Sequence, residues 1–341
     1  MVERYTTQTL LGILTEVKRP KRFLLEKFFP REQTFGTEEV MFDKLLASRR
    51  LAPFVSPLVK GKPMPRAGEA LVSYRPPYVK PKHVLTPDLA IKTMPGESLQ
   101  GTMTIQQRID RIRAQLLVEQ DDMITRREEW MASSLLRTGI MTVVAEDHPP
   151  MAINLARPAG HTVALLTTAR WGETGVSPFQ NLRTWAGTVA AASGAAPSEV
   201  VMDPLAASLL LQDPFLISNM QIYHQPPRSI DLLGSLAVPD EAQYLGSIGG
   251  FNFYQYQSTY LEANGTVGKF MPDYTVILGA VSAAEGIRTY GAILDLDKMA
   301  AASRFPKEWT EDDPSAHFLM TQSAPLPLLA RPEATFCATV R

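Results

Sequence analysis

The sequence predicts an α+β fold with one long helix, several short strands and two long segments that have no core of their own. Apolar residues recur at helical spacing over residues 104–137, which is typical of an amphipathic helix. Short apolar runs bounded by turn residues recur after residue 140, which is typical of strands. The 341 residues are 45% hydrophobic and 20% charged, a composition that excludes global disorder. No apolar run of about eighteen residues occurs, so no transmembrane helix is predicted.

Residues 1–50 are predicted to form an N-terminal arm. Apolar clusters such as Phe23-Leu24-Leu25 and Phe28-Phe29 alternate there with basic pairs such as Lys18-Arg19. The segment is too apolar for a disordered tail. We therefore expect an extended or briefly helical arm that buries its Phe and Leu side chains on another surface.

Residues 51–101 are predicted to form a long exposed hairpin of edge strands. Residues 51–100 contain nine prolines, which remove backbone donors and do not fit a central strand. Gly61-Lys62 and Gly68 are candidate turn positions. Exposed strand edges bind other chains readily, so we expect this loop to pack on a neighbouring subunit.

Residues 104–137 are predicted to form a long helix of roughly 50 Å at about 1.5 Å per residue. Thr104 and Gln107 can form a capping box, and Gly139 suits the C-terminal end. The predicted apolar face consists of Ile105, Ile109, Ile112, Leu116, Met123, Trp130 or Met131, and Leu135.

The rest of the chain is predicted to contain mainly strands and turns. Asp203-Pro204 predicts the start of a helix, with aspartate as N-cap, and Asn264-Gly265 predicts a hairpin turn. The predicted strands are residues 141–145, 153–156, 162–166, 200–202, 251–260, 275–278, 289–294, 318–323 and 335–340.

The net charge of −1 hides an asymmetry along the chain. Residues 1–82 hold 16 basic and 8 acidic residues, whereas residues 83–341 hold 18 basic and 27 acidic residues. A basic N-terminal quarter is typical of a segment that binds an acidic partner. That partner is either nucleic acid or the acidic body of another copy of the chain.

The residues offer little support for an enzyme. The five histidines lack metal-ligand spacing, and no P-loop or Gly-x-Ser-x-Gly motif occurs. The carboxylate clusters at residues 311–313 and 295–297 are typical of solvated loops. Cys337, the single cysteine, lies in an apolar strand and is expected to be buried and inert. We therefore predict no catalytic, cofactor-binding or metal-binding residues and no enzymatic activity, with a hydrolase that uses one of the histidines as a remote alternative.

Four separated motifs and three further segments carry a family resemblance. The motifs are Tyr78-Val79-Lys80-Pro81-Lys82-His83, Gly286-Ile287-Arg288-Thr289-Tyr290-Gly291, Arg304-Phe305-Pro306-Lys307-Glu308-Trp309 and Gln322-Ser323-Ala324-Pro325-Leu326. The further segments are residues 270–273, 275–279 and 28–40. Together they resemble the major capsid (head) protein of lambda-type tailed bacteriophages, and the resemblance runs over nearly the whole chain.

The resemblance implies the Hong Kong 97-type capsid fold. The arm would be residues 1–50 and the extended loop 51–101. The peripheral domain would be residues 102–189, with the long helix as its spine, and would return as 285–341. The axial domain would be residues 190–284.

The resemblance also implies the partners. Copies would form hexamers and pentamers that close an icosahedral head shell around packaged double-stranded DNA, with only weak, non-specific DNA contact. We expect a separate scaffold protein, because the arm and loop fall within the first hundred residues and leave no room for a fused scaffolding segment. We also expect a portal and either a small decoration protein or plain non-covalent contacts. The chain would assemble in the host cytoplasm and belong to the virion.

The candidate subunit-interface residues come from these motifs and from the basic loop. They are Arg66, Tyr78, Lys80, Lys82, His83, Arg288, Arg304 and Trp309. The basic and aromatic residues at 78–83 would also suit nucleic acid, although their proline-rich setting favours a protein partner. The alternative function is the shell of a cellular nanocompartment with the same fold, which would enclose an enzyme instead of a genome.

Overall fold

The computed structural model describes Leu10 and residues 22–37, 39–45, 69–88, 104–145, 148–217, 242–262, 264–295, 300–312 and 315–341. Most of the predicted arm, the turn positions Gly61-Lys62 and Gly68, and the candidate interface residue Arg66 lie outside the described residues.

The described residues form five α-helices and twenty strands. The helices are α1 (Phe23–Phe28), α2 (Ile105–Thr138), α3 (Pro178–Ser193), α4 (Pro204–Leu211) and α5 (Val281–Ala284). The strands are β1 (Arg31–Thr34), β2 (Val40–Leu45), β3 (Glu69–Tyr74), β4 (Lys82–Leu85), β5 (Ile140–Ala145), β6 (His148–Asn154), β7 (Thr162–Ala164), β8 (Glu199–Met202), β9 (Ala242–Ile248), β10 (Phe251–Tyr256), β11 (Thr259–Leu261), β12 (Val267–Lys269), β13 (Thr275–Gly279), β14 (Gly286–Tyr290), β15 (Ala292–Ile293), β16 (Ala300–Ala301), β17 (Phe305–Asp312), β18 (Ser315–Gln322), β19 (Pro325–Leu329) and β20 (Thr335–Thr339).

The long helix α2 begins and ends where the sequence predicts, within one residue. The Thr104 hydroxyl accepts a hydrogen bond from the Gln107 backbone N–H, and the Gln107 side chain accepts one from the Thr104 N–H. This capping box satisfies N–H groups that have no partner within the helix. At the other end Gly139 adopts φ 73°, and the Arg157 guanidinium donates to the Leu136 carbonyl at 2.6 Å.

The buried face of α2 differs from the predicted apolar face. Ile109, Met131 and Leu135 are buried as predicted, but Ile105 is 60% exposed and Met123 is 48% exposed, so these two predictions were wrong. The helix buries a mixed stripe, because charged and polar side chains occupy positions that apolar spacing alone cannot identify. The buried polar residues of α2 are Arg113, Gln120, Asp121, Thr125, Glu128, Glu129 and Ser133.

A six-stranded sheet with the order β7-β20-β13-β8-β10-β9 forms a second core. Strand β8 is buried along its whole length, as is typical of a strand that is covered on both faces. Trp185 of α3 stacks on Trp171 and Phe336 in this core, and Asp203 caps α4 through the Leu205 N–H. The predicted strands at residues 200–202, 275–278 and 335–340 are confirmed. The predicted single strand at 251–260 is instead two strands, β10 and β11, since pairing stops after Tyr256.

Strands β17 and β19 are among those that the sequence did not predict. Strand β19 contains Pro325 and Pro327 and pairs with β14 at the edge of the sheet β1-β14-β19. An edge strand needs hydrogen bonds on one side only, so it tolerates prolines that would disrupt a central strand. Strand β17 pairs with β18, and β4 completes this sheet on the other side of β18.

The region predicted as one long loop consists of two parts with different surroundings. Strands β2 and β3 pair with each other as a two-stranded ribbon, in which Leu45 lies opposite Glu69. The ribbon therefore begins before residue 51, where the sequence placed the start of the loop. From Pro76 onward the chain packs on its own body: Pro76 and Pro77 are buried, and Val79 pairs with Ser323.

Within the part of the chain that the structure describes, no helix is long and apolar enough to cross a membrane. A search of the same residues finds no group of three or more His, Cys, Asp or Glu side chains suited to a metal ion.

Candidate functional site: a buried charge network on the long helix

Arg304, directly before β17, lies at the centre of a buried ion-pair network. Its guanidinium donates to Asp121 at 2.6 Å and to Glu128 at 2.6 Å, both on α2. The three side chains are at most 3% exposed. Burial alone would lower the pKa of Arg304, but Glu128 and Asp121 outweigh that effect and raise it, so the arginine stays charged.

The same network holds residues that precede their partners on the long helix by 104–106 positions. The Arg22 guanidinium lies 3.4 Å from the Glu128 carboxylate. The neighbouring Glu129 accepts hydrogen bonds from the Leu24 N–H at 2.7 Å and the Leu25 N–H at 3.0 Å. A carboxylate in this position satisfies N–H groups at the start of α1 and complements the positive end of the helix.

A second group of contacts joins the N-terminal half of α2 to the sheet β17-β18-β4. The Arg113 guanidinium donates to Glu308 at 2.8 Å, and both side chains are 1% exposed. Gln120 donates to the Leu319 carbonyl at 2.8 Å and accepts from the Thr321 hydroxyl at 2.7 Å. The long helix is thus tied to the sheet on one side and to residues 22–29 on the other.

The carboxylates of these contacts accept hydrogen bonds from donors of the protein itself. The contacts therefore hold elements of the fold together. Buried ion pairs gain little net stability when intact, but removing one partner commonly costs about 3–5 kcal/mol. The network therefore fixes which elements touch the long helix.

The predicted interface residues near β4 make contacts inside the subunit. The Lys82 ammonium lies 4.0 Å from the ring centre of Phe318 and 5.1 Å from that of Trp309, and these two rings stack. The Lys80 ammonium lies 4.7 Å from the ring centre of Tyr78. The structure thus brings Lys82 and Trp309 together on one face of the sheet.

The other predicted interface residues lie apart from that face. The Tyr78 hydroxyl donates to Gln322 at 2.7 Å, and a ring nitrogen of His83 lies 3.0 Å from the Gln120 amide. Arg288 donates to the Pro30 carbonyl at 3.3 Å. Arg304 is buried in the network described above. A role of these residues at subunit contacts stays a prediction.

The sequence reasoning missed the buried carboxylates of α2. Asp121 and Glu128 are seven residues apart and thus share the face of Ile124 and Met131, which are buried. A charged residue in register with an apolar stripe is the signal that could have identified them.

Comparison with known proteins identifies the family. The chain matches the family model for phage major capsid protein E over residues 6–340. The chain belongs to this family. It is 30% identical to the major capsid protein of Escherichia phage N15 over 335 residues, which cover 96% of this chain and 97% of the relative. It is 29% identical to the major capsid protein of Escherichia phage lambda over 337 residues, with the same coverage of both chains.

A solved structure shows the fold of this major capsid protein family member. The crystal structure of a capsid protein assigned to a prophage of Escherichia coli CFT073 superposes with a TM-score of 0.76 over the whole of both chains, at 22% identity. The fold is therefore the α+β Hong Kong 97-type capsid fold that the resemblance implied. Membership of the family gives the chain a structural role, as a virion shell protein that assembles with copies of itself.

Proposed function

We propose that this capsid protein forms hexamers and pentamers that close an icosahedral head shell around double-stranded DNA of a tailed phage. The observation that carries the proposal is that both the family match and the capsid fold extend over nearly the whole chain. Assembly would take place in the host cytoplasm.

The β2–β3 ribbon supports a specific way in which copies hold one another. Among the described residues, its two strands pair only with each other. An isolated two-stranded ribbon is marginally stable in water, so a surface that covers it would stabilise it. A neighbouring copy in the shell would supply that surface.

The charge of the ribbon's connecting segment supports the same arrangement. Residues 46–68 contain five Lys or Arg residues and no Asp or Glu, whereas residues 83–341 carry a surplus of acidic residues. Opposite charges on two docking surfaces favour correct orientation and suppress wrong pairings. The segment would therefore dock on the acidic body of the next copy.

Further partners follow from the same proposal. A separate scaffold protein would set the curvature of the growing shell, and a portal would occupy one vertex. A small decoration protein would bind the outside, unless plain contacts between subunits suffice. The acidic body would keep contact with DNA weak and non-specific. The chain would catalyse no reaction.

Electron microscopy of the purified protein, alone and with its scaffold, tests the proposal. The decisive variant replaces residues 46–68 by Asn-Gly, which can close the ribbon because Leu45 and Glu69 face each other. We expect the parent protein to form closed shells of hexamers and pentamers. We expect the variant to stay folded, with an unchanged circular dichroism spectrum, and to form none.

Two results would contradict the proposal. Normal shells from the variant would show that the ribbon segment is dispensable for assembly. Shells that enclose a co-purified enzyme instead of DNA would favour the nanocompartment alternative.

A further inference from the structure

The first residues of the described N-terminal segment lie in a recess of their own subunit. Leu24, Leu25, Phe28 and Phe29 are almost completely buried. The recess is shaped around Phe28: a Cβ added at Gly286 would overlap the Phe28 carbonyl oxygen. Glycine at this position thus leaves the space that the segment fills.

The recess also presents carboxylates that the segment neutralises. Glu128 receives the Arg22 guanidinium, and Glu129 receives the backbone N–H groups of α1. Glu199, on β8, receives the Lys27 ammonium at 2.7 Å. Each of these three carboxylates therefore gains a donor from residues 22–29.

The segment adds donors to buried carboxylates of the body. The carboxylates of Asp121 and Glu128 lie beside Arg304, and Glu129 accepts a hydrogen bond from the Tyr256 hydroxyl at 2.9 Å as well as those from α1. Removing one partner of a buried charge is strongly destabilising. Loss of the Arg22 donor to Glu128 would therefore weaken the contact between the segment and the body.

We propose that this recess is a binding site for a cationic and apolar peptide, and that residues 22–29 are its ligand within the same subunit. Non-covalent contacts join the segment to the recess, and the residues that make them are more than a hundred positions apart in the chain. Residues 22–29 therefore stay on their own body and do not cross to other copies. The proposal goes beyond shell formation and does not depend on it.

Cleavage of the folded full-length chain tests the proposal. A specific protease site is inserted after Gly36, which is exposed and where an added Cβ would meet no atom within 4 Å. After cleavage we expect the N-terminal fragment to remain with the body in size-exclusion chromatography. In a variant that lacks one hydrogen bond to a charged group, the N-terminal fragment should dissociate roughly tenfold faster, or more, than in the parent.

Three variants show whether charge holds the fragment. Arg22→Met changes only the ligand and leaves the recess intact. Glu128→Gln with Glu129→Gln changes the recess, and circular dichroism of the uncut protein shows that the body is folded. Arg31→Met is the matched control, because Arg31 belongs to the same fragment but is exposed.

We expect fast release from the Arg22 and Glu128/Glu129 variants and parent-like retention in the Arg31 variant. Release of the parent fragment on cleavage would overturn the proposal, and so would equal retention in all variants. Shell formation is scored on uncut protein, so failure of the proposed function would be visible separately.

Discussion

Replacing Arg304 by methionine removes a cation that contacts both Asp121 and Glu128 at 2.6 Å. Both carboxylates are about 2% exposed or less, and Glu128 would keep the more distant Arg22 at 3.4 Å. Breaking a buried ion pair in this way costs about 3–5 kcal/mol. At about 2.1 cal/mol/K per residue, unfolding of the chain carries an entropy of roughly 0.7 kcal/mol/K. We therefore predict that Arg304→Met lowers the unfolding midpoint of the unassembled subunit by about 4–7 °C.

Differential scanning calorimetry of the free subunit measures this shift. The matched control is Lys269→Met, which removes an exposed ion pair with Asp273 and should change the midpoint little. Adding Asp121→Asn and Glu128→Gln to Arg304→Met should recover much of the loss, because the two buried carboxylates are then replaced by neutral amides. The reasoning is refuted if Arg304→Met shifts the midpoint no more than the control, or if the triple variant is less stable than the single one.

Three further predictions concern other parts of the subunit. Gly286→Ala should destabilise the subunit by about 1–3 kcal/mol or more in urea unfolding, because the new methyl group overlaps the Phe28 backbone; a change below a few tenths would contradict the close approach. Cys337 should resist iodoacetamide at pH 8 until urea unfolds the chain, because burial raises the pKa of its thiol to about 11; labelling of the folded protein would argue against its burial. Burial opposes ionisation of Glu199, but hydrogen bonds from Lys27 and Asn252 outweigh it and lower the pKa of this carboxyl. The Lys27–Glu199 pair therefore stabilises the fold fully above the unfolded-state pKa of about 4.3, and this stabilisation is lost as the pH falls through the folded-state pKa. Lys27→Met should therefore lower the melting temperature clearly at pH 7 and little at pH 3, and an equal loss at both would count against the pair.

Local features of the fold could be predicted from the sequence, because their partners lie a few residues apart. The capping box of Thr104 and Gln107, and the cap of α4 at Asp203, are of this kind. So is the hairpin turn at Asn264-Gly265, which joins β11 to β12. Each depends on side-chain chemistry that acts within one turn of chain.

The charge network could not be predicted, because its partners are far apart in the chain. Arg22 and Glu128 are 106 positions apart, and no periodicity links them. The apolar pattern also placed Ile105 and Met123 on the buried face, although both side chains are exposed. Burial of a helix position depends on whether another element packs against it, and periodicity does not show this. Motif resemblance singled out Arg304 as a candidate interface residue, but it did not reveal that the side chain is buried in the network.

Strand β20 is the last strand of the six-stranded sheet to be synthesised. Cys337 pairs with Thr162 on one side and with Ile277 on the other, so β20 joins strands made much earlier. About 175 residues separate Cys337 from Thr162, and a ribosome that adds about 5–20 residues per second needs roughly 9–35 s to make them. Until then β7 has no neighbour in the sheet, and β13 is the open edge of the four strands that are already made. Because an open strand edge pairs readily with other chains, late arrival of β20 would expose a nascent chain to wrong pairing for that time.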